Sequence, residues 1–194
     1  MAIRILAATV VGAVLAFGWG AFSWTSGLYD FAFRPMPGGS DAGARLAAAV
    51  PEDGAYLYPA PPSVEGMTSQ QATIAQDAVL AEHRSGPLVM AVVRKQGIDP
   101  ESPTVLVRGF AIELFAAGLL AAVFGVAAKF GARPQDRLAL ALLIPLFAVL
   151  ATHGVIWNFF HLPDGYSIAL FVDGLVTWAL ASIACAVIVR PSRS

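Results

Sequence analysis

Four long apolar segments are separated by polar stretches along the chain. About twenty helical residues rise roughly 30 Å, the thickness of the hydrocarbon layer of a bilayer, and each segment reaches that length. The pattern predicts a membrane all-α fold, a four-transmembrane-helix bundle. The predicted transmembrane helices cover residues 1–26, 108–130, 138–160 and 166–190.

Residues 27–107 interrupt this pattern between the first two apolar segments. They carry nine acidic and five basic residues, a net charge of −4. Alternating apolar positions and turn residues predict a small α+β extracytoplasmic domain with helices at 40–50 and 68–84 and strands at 55–59 and 88–93. We expect the two strands to pair. Because two strands alone are only marginally stable, we expect this domain to be stabilised by contact with helices, the membrane or a partner.

Small residues recur at every fourth position in the first two apolar segments. The first stripe is Ala8, Gly12, Ala16 and Gly20, and the second is Gly109, Ala117, Ala121 and Gly125 with Glu113 among them. Such stripes allow transmembrane helices to approach closely, so both predict protein-facing surfaces. The first segment has no clear signal-peptidase site, and Trp19 and Trp24 resemble interfacial anchors. We therefore expect a retained helix rather than a cleaved signal peptide.

Composition narrows the class further. The chain is 57% apolar and 13% charged, with a net charge of −1. No basic patch indicates a nucleic-acid partner. Cys185 is the only cysteine, so neither an intrachain disulfide nor a paired-cysteine redox or zinc motif is possible. No cofactor is predicted from these residues.

Basic residues in the short connections predict the orientation. They fall on one side of the predicted bundle, which should therefore be cytoplasmic. Both termini are then cytoplasmic, and residues 27–107 lie in the periplasm of a bacterial inner membrane. The residues on that side are Arg4, Lys129, Arg133, Arg137, Arg190 and Arg193.

Three ionisable residues lie inside the apolar segments at similar predicted depth. Glu113, His153 and Asp173 each fall roughly 8–12 Å below the outer surface at 1.5 Å per helical residue. Intramembrane charge is costly and often functional. We expect a candidate polar cluster that also includes Trp157, Asn158 and Thr177. The alternatives are structural bonding between helices, proton or ion transport, metal or small-ligand binding by the histidine and two carboxylates, and catalysis.

Three short motifs carry a resemblance. Tyr56-Leu57-Tyr58-Pro59, Gly86-Pro87 and Trp157-Asn158-Phe159-Phe160, in this order among four helices, resemble a family of uncharacterised bacterial four-helix inner-membrane proteins with a periplasmic insert. The resemblance implies a bacterial origin and places Asn158 at the outer mouth of the third helix. It implies no activity.

Three functional hypotheses follow from the sequence. The leading one is a non-enzymatic accessory or binding protein of the inner membrane, whose outer domain contacts a membrane or periplasmic protein. The second is a small proton- or ion-coupled transporter that uses an outward-facing Glu/His/Asp cluster, and the third is a membrane metal- or lipid-binding enzyme. The lipid bilayer is an expected partner in each, and a homo-oligomer is compatible with each.

Overall fold

Helices long and apolar enough to span a membrane account for most of the chain. The computed structural model describes residues 1–190, and within them four helical segments have the required length and apolarity, as the sequence predicts. The basic residue Arg193 lies outside the described residues. The helices are α1 (Ala2–Thr25), α2 (Gly39–Ala49), α3 (Ser69–Ser85), α4 (Pro103–Lys129), α5 (Pro134–Val149), α6 (Val155–Phe160) and α7 (Asp164–Ile188), and the strands are β1 (Gly54–Tyr58) and β2 (Val89–Val93).

The third membrane-length segment is not a uniform α-helix. It begins at Pro134, where proline suits the first helical turn, and runs through α5 into a π-helical turn at Leu150–Gly154 before continuing as α6. Pro145, where the sequence suggests a kink, stays inside α5. The change from α to π geometry comes later and includes His153. Single π turns inside helices are frequent at functional sites.

Helix α7 is central, since it packs against α1, α4 and α5. The contacts are made by small residues. A Cβ atom on Gly12 of α1 would lie 3.4 Å from Ala117 Cβ of α4 and 3.6 Å from Ala181 Cβ of α7. The predicted packing role of the small-residue stripes is confirmed at this point. The buried core around it is largely alanine: Ala8, Leu120, Ala121, Phe124, Ala128, Ala141, Ala181, Cys185, Ala186 and Val189.

Arginines hold the C-terminal end of α7. Arg137, near the start of α5, donates from Nη1 to the Val189 carbonyl at 2.7 Å, and Arg4 donates from Nη1 to the Arg190 carbonyl at 2.9 Å. The last carbonyls of a helix lack partners within it, and basic side chains are suited to satisfy them. The start of α1 and the start of α5 are therefore both hydrogen-bonded to the C-terminal end of α7.

The chain divides into two units. The helical unit comprises Met1–Arg34 and the chain from Asp99 onward, and the small unit comprises Pro35–Ile98. The small unit is shorter than the polar insert predicted at 27–107. A short 3₁₀ turn at Asp30–Ala32 packs against α7, so the start of that insert belongs with the helices.

The small unit has the predicted helix–strand–helix–strand order. β1 and β2 pair antiparallel, with Tyr58 opposite Val89 and Gly54 opposite Val93. Thr68 caps α3 in a reciprocal arrangement with Gln71. The sequence also predicts Ser40 as the N-cap of α2, and this is wrong: the N-cap is Gly38, two residues earlier, whose φ of 86° suits glycine.

Candidate functional site

The carboxylate of Asp173 is bound by three donors from the last two turns of α1. Trp19 Nε1 lies 3.0 Å and Ser23 Oγ 2.8 Å from Asp173 Oδ1, while Trp24 Nε1 lies 3.0 Å from Oδ2. Trp19 and Ser23 are four residues apart and so share a helix face. Charge-assisted bonds of this kind offset the cost of placing a carboxylate among apolar residues. We call these four residues the Asp173 clamp.

Aromatic side chains cover the clamp at this end of the bundle. The ring centroids of Trp24 and Tyr29 are 4.9 Å apart, and those of Phe33 and Tyr166 are 5.4 Å apart. The carbonyl of Phe31 approaches Gly165 so closely that a Cβ there would meet it at 3.4 Å. The segment after α1 therefore contacts the start of α7, and Asp173 itself is half-buried.

Tyr29 is the most enclosed of these aromatic residues, with 5% of its surface exposed. Its hydroxyl makes no hydrogen bond of acceptable geometry to any described residue. Burial in the first place, and then the negative charge of Asp173 and a looser contact with it, raise the pKa of the phenol above its usual value of about 10. Tyr29 therefore stays protonated at neutral pH.

Glu113 approaches the clamp from α4. It lies within electrostatic range of Asp173, and its Oε2 is buried without a hydrogen-bond partner among residues 1–190. Two of the three ionisable residues singled out from the sequence are therefore neighbours. The side chain of Glu113 is the unsatisfied member of this pair, whereas Asp173 is bound by α1.

His153 approaches α7 from another direction. Its ring packs on Gly174, where a Cβ would lie 3.6 Å from His153 Nε2 and 3.0 Å from Val149 Cγ1. Across the described chain, His153 forms no hydrogen bond or ion pair with Glu113 or Asp173. No group of three or more His, Cys, Asp or Glu residues in positions 1–190 is arranged to hold a metal ion.

A groove of about 460 Å³ runs between the π turn and α7 beside His153. Its walls are mostly apolar, with Leu150, Ile168 and Phe171 among them. Ser167 also lines it, and the Ser167 Oγ is buried without a partner in the described part of the chain. We call this cavity the His153 groove. Trp157 and Asp164 also line it and hydrogen-bond to each other, so His153 and Ser167 are the polar side chains not engaged in that bond. A few polar groups within apolar walls are typical of binding sites for small molecules.

The other residues of the predicted polar cluster are Trp157, Asn158 and Thr177. Trp157 lines the His153 groove and donates from Nε1 to Asp164 Oδ1 at 3.0 Å across the turn before α7. Asn158 is exposed on α6, and Thr177 is buried on α7 one turn beyond Asp173.

Four side chains of the two candidate sites are not predicted from the sequence. The sequence suggests that Trp19 and Trp24 are interfacial anchors, and in the structure their indole N–H groups donate to Asp173. Ser23 and Ser167 are not among the predicted site residues. The spacing of Trp19 and Ser23 on one face of α1 was the available signal, whereas nothing local marks Ser167.

Comparison with known proteins gives no further guidance. No protein-family model, curated protein or solved structure matches this chain. The function is therefore inferred from the geometry of the described residues.

Proposed function

We propose that the protein is a multi-pass accessory protein of a bacterial inner membrane, in which the helical unit anchors the small unit and the small unit binds a protein partner on the periplasmic side. The basic residues at one end of the helices support cytoplasmic termini. The four membrane-length helices support a multi-pass protein. The exposed apolar surface of the small unit supports a protein partner.

One face of the β1–β2 sheet is apolar and bare. Val92 is 76% exposed, and its neighbours on the same face are exposed as well. Because side chains alternate along paired strands, these residues form one continuous surface. We call them the bare face: Ala55, Leu57, Met90 and Val92. This surface is the single observation that carries the proposal.

The small unit also lacks a core of its own. Among residues 35–98 only Pro59 and Val93 are buried, and neither α2 nor α3 contributes a buried residue. Helices of this length and a two-stranded sheet are marginally stable unless they bury apolar surface. A protein that covers the bare face would supply that burial.

Site-specific photo-crosslinking in intact cells tests this proposal. A photoreactive amino acid at Leu57 or Met90 should give one discrete adduct, of a mass above that of the chain. The matched control is Ala91, which lies between Met90 and Val92 in sequence but on the other face of the sheet. Equal crosslinking at Ala91 and Met90, or adducts to lipid alone, would contradict a protein partner on the bare face.

The transporter hypothesis requires Glu113, His153 and Asp173 to act together. Asp173 is bonded by α1, whereas His153 packs on Gly174 and lines a separate groove. We therefore infer that Asp173 acts as a link between helices. If Asp173→Asn abolished a proton or ion flux through the reconstituted protein without altering its stability, the transporter would become the better hypothesis.

A second candidate function is binding of a membrane-soluble amphiphile in the His153 groove. The unpartnered Ser167 hydroxyl and the His153 ring favour a head group with carbonyl or hydroxyl oxygens. Ser167→Phe, which fills the groove, should remove a small molecule that co-purifies with the protein. Leu142→Phe, on the exposed surface of α5 outside the groove, should retain it. Loss with both variants, or with neither, would contradict this function.

A further inference from the structure

A second groove lies at the opposite end of the helical unit, where α5 begins and α7 ends. Its volume is about 470 Å³. Leu138, Ile183 and Val187 form apolar walls, and each is partly exposed on the outer surface of the bundle. Arg137 and Arg190 line the same groove. The cavity therefore combines an apolar channel with two guanidinium groups at the ends of membrane-length helices.

Arg137 is positioned with unused hydrogen-bonding capacity. It is 7% exposed, and its Nη1 is committed to the Val189 carbonyl. Its Nε is buried without a partner within residues 1–190. A buried donor that lacks an acceptor is unfavourable, so an added acceptor at this edge is favourable.

Arg190 is fixed beside it. Its Nε donates to the Val187 carbonyl at 2.6 Å, which directs the guanidinium along the end of α7. Neither Arg137 nor Arg190 pairs with an acidic side chain in the described residues, since the ion pair found there joins Arg133 to Asp136. Within residues 1–190, the groove therefore carries the positive charge of two arginines without an acidic partner.

We propose that this groove binds the phosphate of an anionic phospholipid, with the acyl chains lying along Leu138, Ile183 and Val187. Guanidinium groups bind phosphate through paired hydrogen bonds, and basic pockets between transmembrane helices bind anionic head groups. The apolar walls distinguish a lipid from free phosphate, because only the lipid fills both parts of the groove. The phosphate oxygens would supply the acceptors that Arg137 Nε lacks.

Native mass spectrometry and thermal melting of the purified full chain test the proposal, with phosphatidylglycerol, phosphatidylcholine and inorganic phosphate as probes. Phosphatidylglycerol should be retained and should raise the melting temperature more than phosphatidylcholine, whose choline cation offsets the charge of the same phosphate, whereas inorganic phosphate should do neither. Arg190→Gln should weaken phosphatidylglycerol binding about fivefold. Arg133→Gln removes the same charge outside the groove and should leave binding unchanged.

Replacing Arg137 would also remove its hydrogen bond to the end of α7, so a loss of binding could reflect a perturbed fold. A variant that fills the groove and leaves both arginines in place avoids this problem. Ile183→Trp keeps both arginines and should block phosphatidylglycerol binding while the protein still melts cooperatively. Equal retention of the two lipids, equal weakening by Arg133→Gln and Arg190→Gln, or binding of inorganic phosphate as tight as that of the lipid would overturn the proposal.

Discussion

The helical unit and the small unit satisfy their apolar and polar groups in opposite ways. In the helical unit, alanines and glycines let three helices meet around α7, and Asp173 accepts bonds from three donors of α1. In the small unit, only Pro59 and Val93 are buried, and one sheet face is bare. The first unit has a buried core formed by several helices, whereas the second lacks most of the burial that stabilises a domain.

The difference is consistent with the proposed function. The proposed anchor requires internal contacts that form without another protein, and the packing of α1, α4 and α5 against α7 supplies such contacts. A binding unit that gains its stability from a partner can couple its own ordering to binding.

Gly12→Leu should damage the helical unit most. A side chain at Gly12 would be forced against Ala117 and Ala181 in two neighbouring helices, and overpacking of this kind costs about 3 kcal/mol. Thermal unfolding of the detergent-purified chain should show the loss. Gly18→Leu is the matched control on α1, since nothing lies within 4 Å of a Cβ there. Comparable losses for both variants would contradict close packing at Gly12.

Asp173→Ala should reduce the stability of the helical unit by about 2 kcal/mol, because Trp19, Ser23 and Trp24 lose their common acceptor. The same unfolding measurement applies. Asp173→Asn retains a carbonyl oxygen in place of Oδ1 and should lose less. If Asp173→Ala is as stable as the unmodified chain, Asp173 does not link α1 to α7.

Thr68→Ala should act only in the small unit. It removes the cap of α3, a loss of about 1 kcal/mol, and should speed amide hydrogen exchange in the first turns of that helix. Ser69→Ala, at the next position, is the control, since no capping bond involves its side chain. Slower exchange in α3 or a lower melting temperature for the helical unit would count against independent units.

Tyr29→Phe should have the smallest effect at neutral pH, because the hydroxyl that it removes has no partner. The pKa of Tyr29 is raised in the folded chain, so the folded state disfavours the phenolate. The unmodified chain should therefore lose stability as pH rises above about 10, and Tyr29→Phe should lose less. Parallel stability–pH curves for the two chains would contradict the burial of Tyr29 beside Asp173.

The sequence predicts local features of this molecule well. The length of the apolar segments predicts the four long helices, and the sequence predicts that Thr68 or Ser69 caps α3. The strand patterns at 55–59 and 88–93 predict that the two strands pair, whereas the Gln71 partner of the cap and the register of the pairing come from the structure. Each of these predicted features is determined by residues within one segment or by the similar patterns of two short segments.

The contacts of the candidate site depend instead on which helices become neighbours. Asp173 stands out because a charge in an apolar run is costly, but its partners lie about 150 positions away on α1. The π turn that carries His153 has no local marker comparable to Pro145. Equal predicted depth describes only one dimension, so it could not give the direction in which each of the three side chains faces.

Hydrogen exchange across the full chain tests the contrast between the two units most directly. In protein purified alone and reconstituted into lipid nanodiscs, the amides of α2, α3 and the β1–β2 sheet should exchange quickly, while those of α4 and α7 stay protected. In native membranes, where the proposed partner is present, the small unit should become protected as well. Protection of α2 and α3 in the purified protein equal to that in native membranes would contradict the account.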